Sequence, residues 1–95
     1  MNYRPRPGVV HTTICKTHVL IPTRAAYAYC PRLMKLPALW AATWDLLGQE
    51  HADQKIMRVH KLFTRAPDEK IRASVEAFCQ AMAERGYLIR EEDEA

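Results

Sequence analysis

The feature that most constrains the fold is a strand that runs directly into a helix, in the segment LMKLPALWAATWDLL at residues 33–47. Leu33–Leu36 predicts a short, mainly apolar strand. Pro37 ends it because proline has no N–H for a ladder hydrogen bond, and its fixed φ suits the first turn of a helix. Gly48 stands where a C-terminal glycine ends a helix. The residues of one face of this helix follow the spacing 0, 3, 4, 7, and they are Trp40, Thr43, Trp44 and Leu47. We therefore expect both tryptophans in the core, each with its N–H bonded to a partner.

Two further strands are predicted before this junction. Residues 9–15 alternate between two faces with period two, and residues 18–23 are rich in β-branched side chains. Because only Lys16 and Thr17 lie between them, the two strands are expected to pair as an antiparallel hairpin. Leu33–Leu36 then supplies the third strand of a small sheet.

Three other segments have less regular patterns. Residues 1–8 hold two prolines and two arginines, which predicts an extended arm that pairs poorly. Residues 24–31 fit either a strand or a turn or two of helix, and their alanines favour a helix capped by Thr23. Residues 91–95 are mostly acidic and predict a solvated tail.

Two helices are predicted after the first. Residues 54–64 have a basic side and an opposite face formed by Ile56, Val59, His60 and Phe63. The last helix opens at Pro67, with acidic residues near the positive end of its dipole, and ends at Gly86. Its apolar stripe consists of Ile71, Val75, Phe78 and Met82. After Gly86, residues 87–89 are expected to return to the core as a short extended piece. The order predicts an α+β, winged-helix-like fold in which a three-stranded antiparallel sheet is followed by three helices.

Composition narrows the class of protein. The 95 residues suit a single domain, 1–95, and the apolar content of 48% is that of a globular chain. We expect no secretory signal and no membrane span, because no apolar run approaches the roughly 20 residues that a span needs. Three cysteines without paired spacing favour reduced thiols and a cytoplasmic location.

The charge is unevenly distributed along the chain. There are 14 Lys and Arg against 11 Asp and Glu, and because four of the acids lie at 91–94, the rest of the chain is basic. A basic body suits either nucleic acid or an acidic peptide as partner.

Metal and nucleophile sites are weak alternatives. His11 and Cys15 show i, i+4 spacing, but four residues of a strand span roughly 13 Å, too far for one ion. A metal site would need other ligands to converge from distant segments, namely His18, Cys30, His51, His60 or Cys79. As a nucleophile, Cys79 has Glu76 nearby and no evident base. We therefore predict no catalytic residue, no metal ligand and no cofactor, and interpret the chain as a binding protein rather than an enzyme.

Four motifs follow one another in a particular order. Arg6-Pro7-Gly8 leads into the first strand, and Val19-Leu20-Ile21 lies in the second. Leu33–Leu36 precedes an alanine-rich helix, and Glu84-Arg85-Gly86-Tyr87-Leu88 ends the last helix. In this order and spacing the chain resembles, over nearly its whole length, the PqqD-like family. Its members are small peptide-binding domains, also called RiPP recognition elements. The chain departs from the family at Pro37, where a small polar residue is usual.

The resemblance implies a non-catalytic peptide chaperone. In the family, the leader of a ribosomally made precursor peptide adds as an extra strand beside the third strand, against the third helix. The domain then presents the precursor to a modifying enzyme, often a radical S-adenosylmethionine enzyme. An edge strand suits this role because it carries unpaired N–H and C=O groups. On this sequence, the implied peptide-binding residues are Leu33, Met34, Lys35, Leu36, Ile71, Val75, Phe78 and Met82. The four from the helix also fit a plain core stripe.

A winged-helix DNA-binding regulator fits the same order of elements. Its recognition helix would need positive charge to approach phosphates. The last helix, taken as residues 68–85, holds three Lys or Arg against four Asp or Glu, a net charge of −1. The middle helix is basic, which suits an acidic protein partner equally well. We therefore expect a peptide and a modifying enzyme as partners, rather than nucleic acid or a membrane.

Overall fold

Three helices follow a three-stranded antiparallel sheet in the computed structural model, which describes residues 2–91. This confirms the predicted α+β class. A second, two-stranded sheet joins the two ends of the described chain. In chain order the elements are β1 (Tyr3–Pro5), β2 (Val9–Ile14), β3 (Thr17–Pro22), a 3₁₀ helix (Arg24–Ala28), β4 (Met34–Leu36), α1 (Ala38–Leu46), α2 (Ala52–Phe63), α3 (Asp68–Glu84) and β5 (Leu88–Arg90).

The β2–β3 hairpin turns at Cys15 and Lys16, so the prediction of a turn at Lys16-Thr17 is wrong by one residue. Both turn residues have positive φ, 49° and 65°, and Ile14 pairs directly with Thr17. A two-residue turn with this backbone matches the twist of the flanking strands, but it is usually built from Asn or Gly. Since neither residue is present here, the sequence carried no local signal for the turn.

The poor pairing expected for residues 1–8 is not found, because Tyr3–Pro5 pairs antiparallel with β5. The side chain of Tyr3 is 4% exposed, and its hydroxyl donates to Glu76 of α3 at 3.1 Å. Pro5 is tolerated because Arg6 bonds to Tyr87 and Asn2 to Glu91, so the backbone groups of even-numbered residues face β5 and the nitrogen of Pro5 faces away from it. Residues 92–95 of the predicted tail lie outside the described residues, whereas Glu91 is exposed as expected.

The segment after β3 forms a 3₁₀ helix, so the predicted preference for helix over strand is confirmed. Thr23 is the N-cap residue, as predicted, and its carbonyl oxygen accepts the N–H of Ala26 at 3.0 Å. Its side chain does not cap the helix, because the hydroxyl donates to the carbonyl oxygen of Gly8 at 2.5 Å. Cys30 follows as a buried residue whose thiol contacts the carbonyl oxygen of Ala26 at 3.3 Å. This segment therefore fills the space between the hairpin and the start of β4.

The face predicted on α1 packs into the core, with Trp44 at 5% and Leu47 at 2% exposure. Trp40 is half-buried and stacks on Phe78 of α3, with ring centroids 4.7 Å apart. The prediction that each indole N–H has a hydrogen-bond partner is wrong for Trp44. Its Nε1 is buried and has no hydrogen-bond partner among residues 2–91. Gly48 follows α1 with φ of +87°, as predicted for a glycine that ends a helix.

The later helices keep their predicted inward faces with one exception. Ile56 and His60 of α2 are buried, but Phe63 is 65% exposed, so its predicted place on the apolar face is wrong. Phe63 is the last residue of the helix, and the backbone becomes extended at Thr64, so the buried face ends one turn earlier. Among residues 2–91, none of the helices is both long and apolar enough to cross a membrane.

Candidate functional site

The strand β4 is an edge of the three-stranded sheet. The strand order is β2-β3-β4, so within the described residues β4 pairs on one side only, with β3. It begins at Met34 rather than Leu33, one residue later than predicted, and ends at Leu36 before Pro37. An edge strand leaves half of its backbone hydrogen-bonding groups without a partner in the sheet. Which groups these are depends on the register.

The hairpin fixes which side each residue of β3 faces. The N–H of Thr23 donates to the carbonyl oxygen of Gly8 at 2.8 Å, in the same register that pairs Ile14 with Thr17. Along a strand, backbone groups alternate between the two neighbouring strands. The odd-numbered residues of β3 therefore turn their N–H and C=O groups towards β2, and the even-numbered residues turn theirs towards β4.

On β4 this alternation leaves Lys35 facing outward. Leu20 opposes Met34 and His18 opposes Leu36, so these two pairs exchange the hydrogen bonds between β3 and β4. Lys35 lies between them, and its N–H and C=O point away from the sheet. The sequence alone left open whether Met34 or Lys35 faces outward, and the register assigns Lys35.

An apolar groove lies beside this free edge. It has a volume of about 650 Å³ and is lined by Ile14, Thr17, Val19, Leu33, Met34 and Lys35. Leu33 is 64% exposed and Ile14 52% exposed, so large apolar side chains face solvent next to free backbone groups. Extended peptides bind such edges through main-chain hydrogen bonds and place alternate side chains in adjoining pockets.

The eight predicted site residues do not form one surface. Leu33, Met34 and Lys35 line the groove beside β4, and Leu36 is buried at 9% exposure. Three residues of the α3 stripe are also buried, at 3%, 1% and 3% exposure, namely Ile71, Val75 and Met82. Phe78 is half-buried against Trp40. The plain-core alternative therefore describes most of the α3 stripe.

A second groove lies between α2 and α3, away from the residues of β4. It measures about 640 Å³, and its apolar floor includes Ile56, Met57, Ile71 and Val75. Four charged side chains line the same groove, namely Asp53, Arg58, Arg72 and Glu76. The two grooves share no lining residue, so they are separate features of the surface.

Two of the four motifs behind the family resemblance, those at residues 6–8 and 84–88, meet in space. The Nε of Arg6 donates to the carbonyl oxygen of Gly86 at 2.6 Å, and its guanidinium lies 3.9 Å from the centre of the Tyr29 ring. The hydroxyl of Tyr87 donates to the carbonyl oxygen of Arg32, just before β4. These contacts give Arg6 and Gly86 a structural role that positions the segment leading into the edge strand.

A cluster that sequence reasoning missed lies on the other face of the hairpin. The Nδ1 of His11 is 2.8 Å from both carboxylate oxygens of Asp45 in α1, and its Nε2 is 2.9 Å from Nδ1 of His18. The hairpin register was the one available signal, since it puts His11 and His18 on the same face. Asp45 is distant in sequence and gave no signal.

The thiols offer no evident nucleophile. Burial raises the pKa of Cys79 to about 12, and Glu76 adds to the shift, so this thiol stays protonated near neutral pH. Burial also raises the pKa of Cys30, while Cys15 is exposed at the hairpin turn. Within residues 2–91, no three His, Cys, Asp or Glu side chains are grouped so that they can hold a metal ion.

The arrangement closest to a binding site is thus a free strand edge at Lys35 beside an apolar groove. Its chemistry is that of backbone hydrogen bonding combined with burial of apolar side chains. No protein-family model matches the chain, and comparison with curated proteins and with solved structures found no match.

Proposed function

We propose that this protein is a non-catalytic peptide chaperone that binds an extended peptide by strand addition to β4. The peptide is the leader of a ribosomally made precursor, which the domain presents to a modifying enzyme, in this proposal a radical S-adenosylmethionine maturase. The observation that carries the proposal is the outward-facing backbone of Lys35 beside a groove with exposed Leu33 and Ile14.

One further point supports a peptide as the ligand. The order of motifs resembles that of PqqD-like domains, in which the third strand receives the leader. The proposed docking surface, however, differs from the family pattern. The groove beside β4 is lined by the three strands and the residue before β4, whereas Ile71 and Val75 of α3 line a different groove. In this proposal the leader therefore lies along the sheet edge, and the α2–α3 groove is not needed for it.

The binding free energy that the edge of β4 can supply determines which features the peptide must have. Lys35 offers one N–H and one C=O, and each bond adds roughly 0.5–1.5 kcal/mol net. A large apolar side chain buried beside Leu33 adds roughly 2–3 kcal/mol, and ordering the peptide costs about 2–5 kcal/mol. Micromolar binding corresponds to about 8 kcal/mol, which the two bonds at Lys35 and two apolar anchors do not reach. The leader therefore needs at least three apolar anchors, or further backbone bonds along the edge beyond Lys35. Because Lys35 is exposed, an acidic residue nearby in the leader adds a favourable contact.

The three free cysteines fit a reducing compartment, and we place the protein in the cytoplasm. There it would meet a newly synthesised precursor before modification.

The proposal is tested by two proline variants. Lys35→Pro removes an N–H that faces outward, so the fold should persist while peptide binding falls. Met34→Pro removes an N–H that bonds to β3, so this variant should lose stability. Peptides are first selected from a displayed random library against the parent chain, and the tightest binder is titrated by calorimetry, with circular dichroism as the check on fold.

Lys35→Ala and Met34→Ala serve as matched controls, because they remove the side chain and keep the N–H. We expect Lys35→Ala to bind within a few fold of the parent and Lys35→Pro to bind at least ten times more weakly. A folded Lys35→Pro that binds as well as the parent would contradict the proposal. So would a library that yields no peptide ligand.

A further inference from the structure

The cluster of His11, His18 and Asp45 plays no part in the proposed peptide site. His11 and His18 come from adjacent strands of one hairpin, and their side chains lie on the same face because His11 opposes Leu20 and Thr13 opposes His18. The two rings are 5.1 Å apart at their centroids. Asp45 reaches the ring of His11 from the last turn of α1.

The hydrogen bonds determine which nitrogens carry protons. An ionised carboxylate only accepts, so Nδ1 of His11 carries the hydrogen that points at Asp45. In the neutral ring Nε2 of His11 is then an acceptor, and it receives the N–H of His18 Nδ1 at 2.9 Å. His11 therefore presents a lone pair, held in place by the carboxylate. A carboxylate behind a ligating imidazole is the common outer support of protein metal sites.

We propose that His11 Nε2 and His18 Nδ1 form a binding site for a late first-row divalent cation, with Asp45 as the outer carboxylate. The 2.9 Å between the two nitrogens is the length of their hydrogen bond, so the rings are already close enough to share one ion after a small adjustment. Among the late first-row divalent cations, Cu(II) has the highest intrinsic affinity for nitrogen ligands, so it is the ion expected to bind most tightly.

Binding requires one rearrangement of protons. The proton on Nδ1 of His18 goes to solvent and Nε2 of the same ring takes one up, so the imidazole stays neutral and its Nδ1 lone pair bonds to the ion. The half-buried position of His18 leaves the ring in contact with solvent for this exchange. Since no three His, Cys, Asp or Glu side chains within residues 2–91 are grouped so that all of them could bind the ion directly, water fills the remaining positions.

The test is a titration of the purified full chain with Cu(II), followed by copper absorption and electron paramagnetic resonance. We expect one equivalent to bind with two imidazole nitrogens as ligands. His11→Gln and His18→Gln should each abolish this stoichiometric binding, and Asp45→Asn should weaken it about 10–100-fold. His51→Gln is the matched control, because His51 is exposed and outside the cluster, and it should bind like the parent.

Copper binding that survives His18→Gln, or that is lost in His51→Gln, would overturn the proposal, as would the absence of stoichiometric binding to the parent. If a variant fails to fold, a measurement on the parent chain alone still tests the proposal. Substoichiometric Cu(II) should broaden the imidazole proton signals of His11 and His18 before those of His51 and His60. The reverse order, or equal broadening of all four, would equally overturn it.

Discussion

His60 is the buried histidine of the core and makes a defined hydrogen bond. Its side chain is 3% exposed, and its Nε2 lies 2.8 Å from the hydroxyl of Thr43. That hydroxyl donates its only hydrogen to the carbonyl oxygen of Leu39 at 2.9 Å, so Nε2 of His60 must be the donor. The edge of Trp40 packs against the ring, with centroids 5.0 Å apart. Burial lowers the pKa of His60, and the ring is neutral near pH 7.

This lowered pKa predicts that stability declines in acid. Below the unfolded-state pKa of about 6.5, the unfolded chain takes up a proton that the folded chain does not bind until a lower pH. The free energy of unfolding should therefore fall as pH drops below about 6.5, by at most about 1.4 kcal/mol per pH unit for this one proton, and be unaffected above that range. Urea unfolding between pH 8 and pH 5 measures the slope.

His60→Gln is the informative variant, because glutamine keeps a donor for Thr43 and does not titrate. We expect it to show a smaller slope than the parent, and His51→Gln, which changes an exposed residue, to keep the parent slope. Equal slopes in the parent and His60→Gln would show that His60 does not carry the effect.

At the scale of elements, Gly86 joins the end of α3 to β5 in a conformation that only glycine adopts readily. Its φ is +90°, and a Cβ built there would clash with the backbone carbonyl of Tyr29. Its carbonyl oxygen accepts the hydrogen bond from Arg6. The close approach of Gly86 to the backbone of Tyr29 therefore depends on the absence of a side chain at residue 86.

Gly86→Ala is expected to be more destabilising than Gly48→Ala. Both positions have a positive φ, +90° and +87°, and this strain costs about 1–3 kcal/mol in each variant. At Gly48 an added Cβ would meet side-chain atoms of Arg4 and Pro5 at 3.3 Å, a tight contact without a backbone clash. Thermal unfolding of both variants measures the difference. If the two lose equal stability, the close approach to Tyr29 is not what constrains Gly86.

The elements that sequence patterns predicted well are those with long periodic faces. All three helices and the β2–β3 pair were predictable because burial repeats with a fixed period over many residues. The β1–β5 pair was missed because its partners lie at opposite ends of the described chain and each has only three residues. The hairpin turn was misplaced by one residue because Cys15 and Lys16 adopt positive φ without being glycine or asparagine.

The candidate site was predictable only in part for a related reason. The sequence indicated that residues 33–36 form a strand next to a helix, and this located the edge. Which N–H faces outward depends on the two-residue turn and the β3–β4 register, and an error of one residue inverts the answer. The α3 stripe has the same period whether it is core or surface, so the burial of Ile71, Val75 and Met82 required the structure.

For the molecule as a whole, the distribution of charge argues against a DNA-binding helix. The α3 helix holds two Lys or Arg and four Asp or Glu, and Lys61 at the end of α2 lies 3.1 Å from Asp68. We expect only weak, salt-sensitive binding to duplex DNA, measured by fluorescence anisotropy of a labelled duplex at low and physiological salt. A tight, sequence-dependent complex that persists at the higher salt would favour the winged-helix regulator instead.

The outward-facing N–H of Lys35 is the central claim, and hydrogen exchange at single-residue resolution tests it most directly. In the free protein, the amides of Met34 and Leu36 should be protected by their bonds to β3, and the amide of Lys35 between them should exchange rapidly. On addition of a selected peptide, the account predicts that Lys35 becomes protected while Met34 and Leu36 change little. Protection of Lys35 in the free protein, or unchanged exchange at Lys35 when the peptide is bound, would contradict it.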